Sequence, residues 1–136
     1  MKRIALTLSL ILSLAAPLAA AAPVPLAQEK HINSELLAAQ IGDILRRTCP
    51  AASARMFVVL NRLNALESYA RSKGYAEAEV KAFLKDRAQK DRIRAEAQAW
   101  LAAAGASPGD PESHCRVARE EVRKRSAVGS LLRVSG

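Results

Sequence analysis

From Asn33 onward the apolar residues recur at three- and four-residue intervals, and no stretch alternates with a period of two. Such spacing commits the chain to helices that each carry one apolar stripe, and each stripe needs another element to cover it. Asn33 reads as the N-cap of the first helix, with Glu35 favoured by the dipole of the first turn. Leu37, Ile41, Ile44, Leu45 and Thr48 share one face, and Gly42 among them costs about 1 kcal/mol against alanine. Cys49-Pro50 ends this helix, because a residue before proline is pushed out of the helical region.

A second helix is expected to start within Pro50 to Ser53. It carries Met56, Val59, Leu60, Leu63, Leu66 and Ala70 down one stripe and stops at Lys73-Gly74, a cationic last turn with a left-handed cap. A short third helix covers Ala76 to Lys85, with Val80, Phe83 and Leu84 inward. Asp86 to Gln89 restarts the chain as a fourth helix, which carries Ile93, Ala97, Trp100, Leu101 and Ala104 to Gly105. Asp110-Pro111 sets an N-cap before a proline at the first helical position, where a missing N–H is harmless. The fifth helix runs from there to about Val128 with Cys115, Ala118 and Val122 inward, and the tail around Ser130 to Arg133 either continues it or folds back. The expected fold is a single all-α bundle of four to five helices over residues 33–136.

What precedes the bundle reads as an address. Met1-Lys2-Arg3 is cationic, Ile4 to Leu14 is apolar and uncharged, and Ala15 to Ala22 is rich in small residues. That order marks residues 1–21 as a cleavable secretory signal, and no cysteine follows to carry a lipid anchor. The uncharged run from Ile4 to Gln28 is nominally long enough to span a bilayer, but Pro17, Pro23 and Pro25 break a helix there, so no stable transmembrane anchor is expected. Residues 22–32 carry two prolines and no period, and are expected to form a flexible arm. The exported chain, periplasmic or secreted, keeps about 115 residues, enough for one small domain.

In an exported chain two cysteines, Cys49 and Cys115, most economically form one disulfide. Closing a span of 66 residues stabilises by about 4 kcal/mol in the chain-entropy model. A sharper alternative joins His114, Cys115, Cys49 and His31 in a zinc site or a Cys–His nucleophile, and redox-active or free thiols are a third. Neighbours on a helix point about 100° apart, so His114 does not readily serve the adjacent sulfur. No metal site, cofactor or catalytic group is expected. A Gly-rich phosphate loop, a histidine pair at metal spacing and a nucleophile elbow are all missing from the sequence. Glu77 with Glu79, or Asp86 with Asp91, read as helix-start residues rather than as an acid–base pair. Trp100, Phe83 and Tyr69 fall at core spacings, Tyr75 reads as a staple closing the turn after the second helix, and five aromatics argue against a stacking platform for bases.

Twenty-one Lys and Arg stand against 13 Asp and Glu, and the excess is concentrated: +5 over residues 46–73 and +4 over residues 113–136. On the fifth helix Glu120 with Lys124 and Glu121 with Arg125 read as ordinary four-residue pairs, while Arg116, Arg119 and Arg123 share a face outside those pairs. They are the candidate interaction face, for an acidic surface of an envelope protein or another anionic surface, with a solvated helix face as the plain alternative. Nucleic acid suits the charge but not an exported chain.

The turn at Cys49 with Ser53-Ala54-Arg55-Met56 is followed by Leu66-Glu67, Gly74-Tyr75 and Glu79-Val80. Then come the helix start Asp110-Pro111 to Cys115 and the ending Gly129-Ser130-Leu131-Leu132-Arg133. In this order and spacing, from about Leu36 to Arg133, the chain resembles DUF5333, a family of small exported alphaproteobacterial proteins of unknown function. Ala76 departs from the Ser, Thr or Asp cap expected before Glu79, which bears on where the third helix starts and not on the fold. The resemblance implies no activity and no catalytic residues, and it implies a loose association with respiratory complex I in these bacteria. The expected function is a non-enzymatic protein-interaction module of the cell envelope. The alternatives are an acid- or stress-activated holdase and an accessory factor of a respiratory complex.

Overall fold

The computed structural model describes residues 21–136, so the signal expected over residues 1–21 lies, but for its last residue, outside the described residues. Five helices make up the body: α1 (Lys30–Thr48), α2 (Met56–Ser72), α3 (Glu77–Lys85), α4 (Arg87–Ala103) and α5 (Pro111–Lys124). The packed centre is α1 against α4 and α5. It interleaves small residues, Ala38, Ala97 and Ala118, with the buried Ile41, Leu45, Leu101 and Val117. The disulfide is present: Cys49, capping the C-terminal end of α1, is bonded to Cys115 in α5, and both are buried in this centre.

Most helix boundaries follow from local chemistry. Asp86 and Asp110 cap α4 and α5, accepting from the N–H groups of Gln89 (2.9 Å) and Ser113 (3.2 Å). Gly74 and Gly105 close α2 and α4 in the left-handed conformation that glycine adopts without strain. Helix α3 starts at Glu77, with Ala76 at its cap position making no side-chain bond.

Three expectations change. Helix α1 starts at Lys30, and its N-cap is Glu29, whose carboxylate accepts from the Ile32 N–H at 2.6 Å. Asn33 lies inside the first turn and donates back to the carbonyls of Leu26 and Glu29, each at 2.7 Å. The segment expected as a loose arm is therefore packed from Leu26 onward. Leu26–Gln28 forms a 3-10 turn, and Leu26 and Ile32 are buried with Ala70 and Tyr75 in a second, smaller core.

The third change is at the C-terminal end. Helix α5 ends at Lys124 with Arg125 in the left-handed region (φ 53°), and the tail folds back through a 3-10 turn at Gly129–Leu131. It ends in a strand, β2 (Leu132–Val134), antiparallel to β1 (Ala52–Ala54), with Ala52 opposite Val134 and Ala54 opposite Leu132. Helix α2 accordingly begins at Met56 and not in the Pro50 to Ser53 segment, which is occupied by the turn and β1. Strands of three residues are too short to show an alternation among helical periods.

Two glycines respond oppositely to a methyl group. A β-carbon at Gly42 meets the Leu131 side chain at an ordinary 3.8 Å, whereas one at Gly129 falls 1.9 Å from the Glu121 carbonyl oxygen. Gly42→Ala is expected to raise stability by about 1 kcal/mol through helix propensity. Gly129→Ala is expected to cost about 3 kcal/mol, the upper end of overpacking, since backbone must part from backbone. Urea unfolding of the two variants checks the opposite signs.

Candidate functional site

Helix α2 carries the apolar stripe its sequence dictates, but the fold covers only part of it. Ala70 alone is buried; Leu66 and Val59 are partly covered, Met56, Leu60 and Leu63 are half exposed, and Phe57 is 86% exposed. The cause is geometric. Helix α1 packs chiefly against α4 and α5, and touches α2 at few points. Between the two helices lies a groove of about 610 Å³. Leu36, Ala39 and Gly42 of α1 line one side, Met56, Val59, Leu63 and Leu66 of α2 the other, and Leu131 and Leu132 also line it. A smaller recess of about 260 Å³, bounded by Phe83, Leu84 and Ile93, adjoins the same α1 residues Leu36, Ala39 and Asp43.

The charged residues that line the groove are Arg46, Arg62, Asp43 and Glu35. Arg46 pairs with Asp43, which also takes Arg47 of the same helix, and Arg62 pairs with Glu35. Arg55 is the N-cap residue of α2 and makes no capping bond there; its guanidinium reaches the Ser130 carbonyl at 3.3 Å.

Polar contacts, more than apolar burial, hold α2 to the body. At mid-helix Arg62 forks onto Glu35 of α1, at 2.7 Å to Oε1 and 2.6 Å to Oε2. It also donates to the Ala127 carbonyl (2.7 Å) and the Ser130 hydroxyl (2.9 Å). At the far end the Tyr69 hydroxyl donates to Glu29 (2.8 Å), the His31 ring meets the Tyr69 ring edge-on at 4.4 Å, and Lys73 lies over that ring. Tyr75, buried in the turn after α2, donates to the Val24 carbonyl at 2.6 Å. Burial pushes the Glu29 carboxyl up, but the Ile32 N–H, the Tyr69 hydroxyl and the charges of His31 and Lys73 outweigh it and hold the group below the usual carboxylate range.

The residues singled out from sequence fall elsewhere. Arg116, Arg119 and Arg123 are exposed on α5 but none is idle: Arg116 donates to the Gly105 carbonyl (3.0 Å), Arg119 pairs with Glu112, and Arg123 pairs with Glu120. Glu112, four residues before Arg116, pairs instead with Arg119 seven residues on, and Arg123 takes Glu120 at three-residue spacing. The hydrogen bond from Arg123 holds the Glu120 carboxyl low. His114 is buried with Nδ1 at 2.9 Å from the Asp110 carbonyl, and both cysteines are in the disulfide, so the Cys–His nucleophile and zinc readings of these residues fall. Among the described residues no three His, Cys, Asp or Glu side chains gather as a metal site. Glu77 hydrogen-bonds Lys81, which holds its carboxyl low, opposite to what a general acid needs, and Asp86 is a cap.

Arg62→Lys keeps the charge but not the fork, and is expected to cost about 2 kcal/mol. Hydrogen exchange in α2 should quicken more than in α4; equal change in both helices would mean that Arg62 does not tether α2. Glu29 carries a pH dependence of definite sign. Its folded value is depressed, so its contribution is present above the unfolded value near about 4.3 and is lost as pH falls through the folded one. The thermal midpoint of the native protein should fall more steeply below about pH 4 than that of Glu29→Gln, as scans from pH 7 to pH 3 would show.

No curated protein and no solved structure matches the chain. A family of unknown function matches residues 24–133, a span that takes in the disulfide, the groove and both of the tethers that hold α2. The chain is thus a member of the DUF5333 family.

Proposed function

We propose that this protein is an exported, non-enzymatic interaction module of the cell envelope, whose contact surface is the open side of α2 and the groove beside it. The observation that carries this reading is the uncovered stripe. Met56, Phe57, Leu60 and Leu63 stand at least half exposed on consecutive turns of one helix. Contiguous apolar surface of that kind marks an interaction site, whereas single exposed apolar residues are ordinary. Export is supported by the order of charge, apolar run and small residues over 1–21, and by a buried disulfide, which persists in oxidising compartments. The arginine row of α5, already engaged within the chain, supports the reading less strongly than the groove does.

In-cell cross-linking of the full chain with a C-terminal tag, followed by mass spectrometry of the captured material, tests the proposal. The expected result is a product lacking the first 21 residues, oxidised at Cys49 and Cys115, and joined near-stoichiometrically to one envelope protein. A broad set of clients that grows at acid pH would replace the module with a holdase. Recovery of the protein alone, or of its unprocessed form, would overturn the proposal.

A further inference from the structure

We infer that in the uncleaved chain the apolar run Ile4 to Leu14 lies in the α1–α2 groove, so that the groove opens to a partner only once residues 1–21 are removed. This rests on the interaction-module reading and names the regulation of the same surface. The chain's own N-terminal segment already fills one end of the cleft between these helices. Leu26 is buried there with Ala70 and Tyr75, and Leu36 of α1 and Leu66 of α2 pack against them. Leu36 and Leu66 also line the groove, which continues past Ala39, Val59 and Leu63 to Met56. At the filled end the Tyr75 hydroxyl holds the Val24 carbonyl at 2.6 Å. The chain ahead of Val24 is therefore tied beside the open remainder of a cleft that Leu26 has begun to cover.

Charge and length select the segment. The charged groups of the lining satisfy one another, Arg46 with Asp43 at 2.5 Å and Arg62 with Glu35 at 2.6 Å. An occupant bearing charge would lose hydration there with no bond to replace it, whereas an uncharged one would not. Ile4 to Leu14 is eleven residues without a charge, five of them leucine. The α2 wall from Met56 to Leu66 is about 15 Å long, and eleven residues wound as a helix match it with their backbone bonds already made. Ala15 to Pro23, nine residues of linker, reach about 30 Å, more than the length of the groove.

The test uses two purified, oxidised forms of the protein, the full chain and the chain from Ala22. With Leu63→p-benzoylphenylalanine in the full chain, illumination should cross-link that position to the peptide carrying Ile4 to Leu14, within a monomer by mass spectrometry. The apolar dye ANS should brighten about threefold more with the chain from Ala22 than with the full chain. The double variant Leu8→Glu/Leu12→Glu in the full chain should remove that difference. A cross-link between two copies, no cross-link to that peptide, or a full chain as bright as the shorter form or brighter would each overturn the inference. The two proposals fail separately. One envelope protein captured in cells by the processed chain, together with no cross-link in the purified full chain, keeps the module and removes the cover.

Discussion

The bond between Cys49 and Cys115 lies where α1, α4 and α5 meet, and the neighbouring arrangement follows from it. The residues around it mix alanines with Ile41, Leu45, Leu101, Val117 and Leu132, which supply most of the apolar burial. The covalent link fixes the end of the first long helix against the start of the last, and it does so beside Pro50, where the chain leaves α1 and turns into β1. The ribbon, the turn at Gly129–Leu131 and the start of α2 are all positioned from that junction.

Helix α2 is held differently. Its apolar stripe would normally be its means of attachment, yet the structure leaves much of that stripe open and uses Arg62, Tyr69 and the packed segment around Leu26 instead. Fixing a helix by polar tethers frees its apolar residues for another molecule. The guanidinium of Arg62 suits this task, since one planar group can satisfy a carboxylate, a carbonyl and a hydroxyl on two different elements. The Glu29–Tyr69 contact adds a dependence on protonation at the opposite end of the same helix.

Much of this architecture is legible in the sequence because its causes are local. Periodicity marks five helices, Asp86 and Asp110 announce two of the starts, Gly74 and Gly105 two of the stops, and a count of two cysteines favours the pairing. What is missed depends on residues distant in sequence. Glu35 and Arg62 lie 27 positions apart, and nothing local marks them as a pair. Glu29 outcompetes Asn33 for the cap because Leu26 and Ile32 find a cleft made by α2 and Tyr75, and that cleft exists only in the assembled fold. The groove is missed for a related reason. The stripe on α2 is visible, but a stripe alone does not say whether its cover is supplied by the same chain.

The ribbon carries a consequence for how the molecule is made. Leu132 is buried and pairs with β1, and the Ser135 N–H bonds to Ala51 at 3.0 Å, so the last residues of the chain complete a structure begun near its middle. β1 and β2 pair across about 80 positions of chain, so closing the ribbon costs more loop entropy than forming the helices, whose contacts are local. The ribbon is thus the element whose formation waits on the rest of the fold.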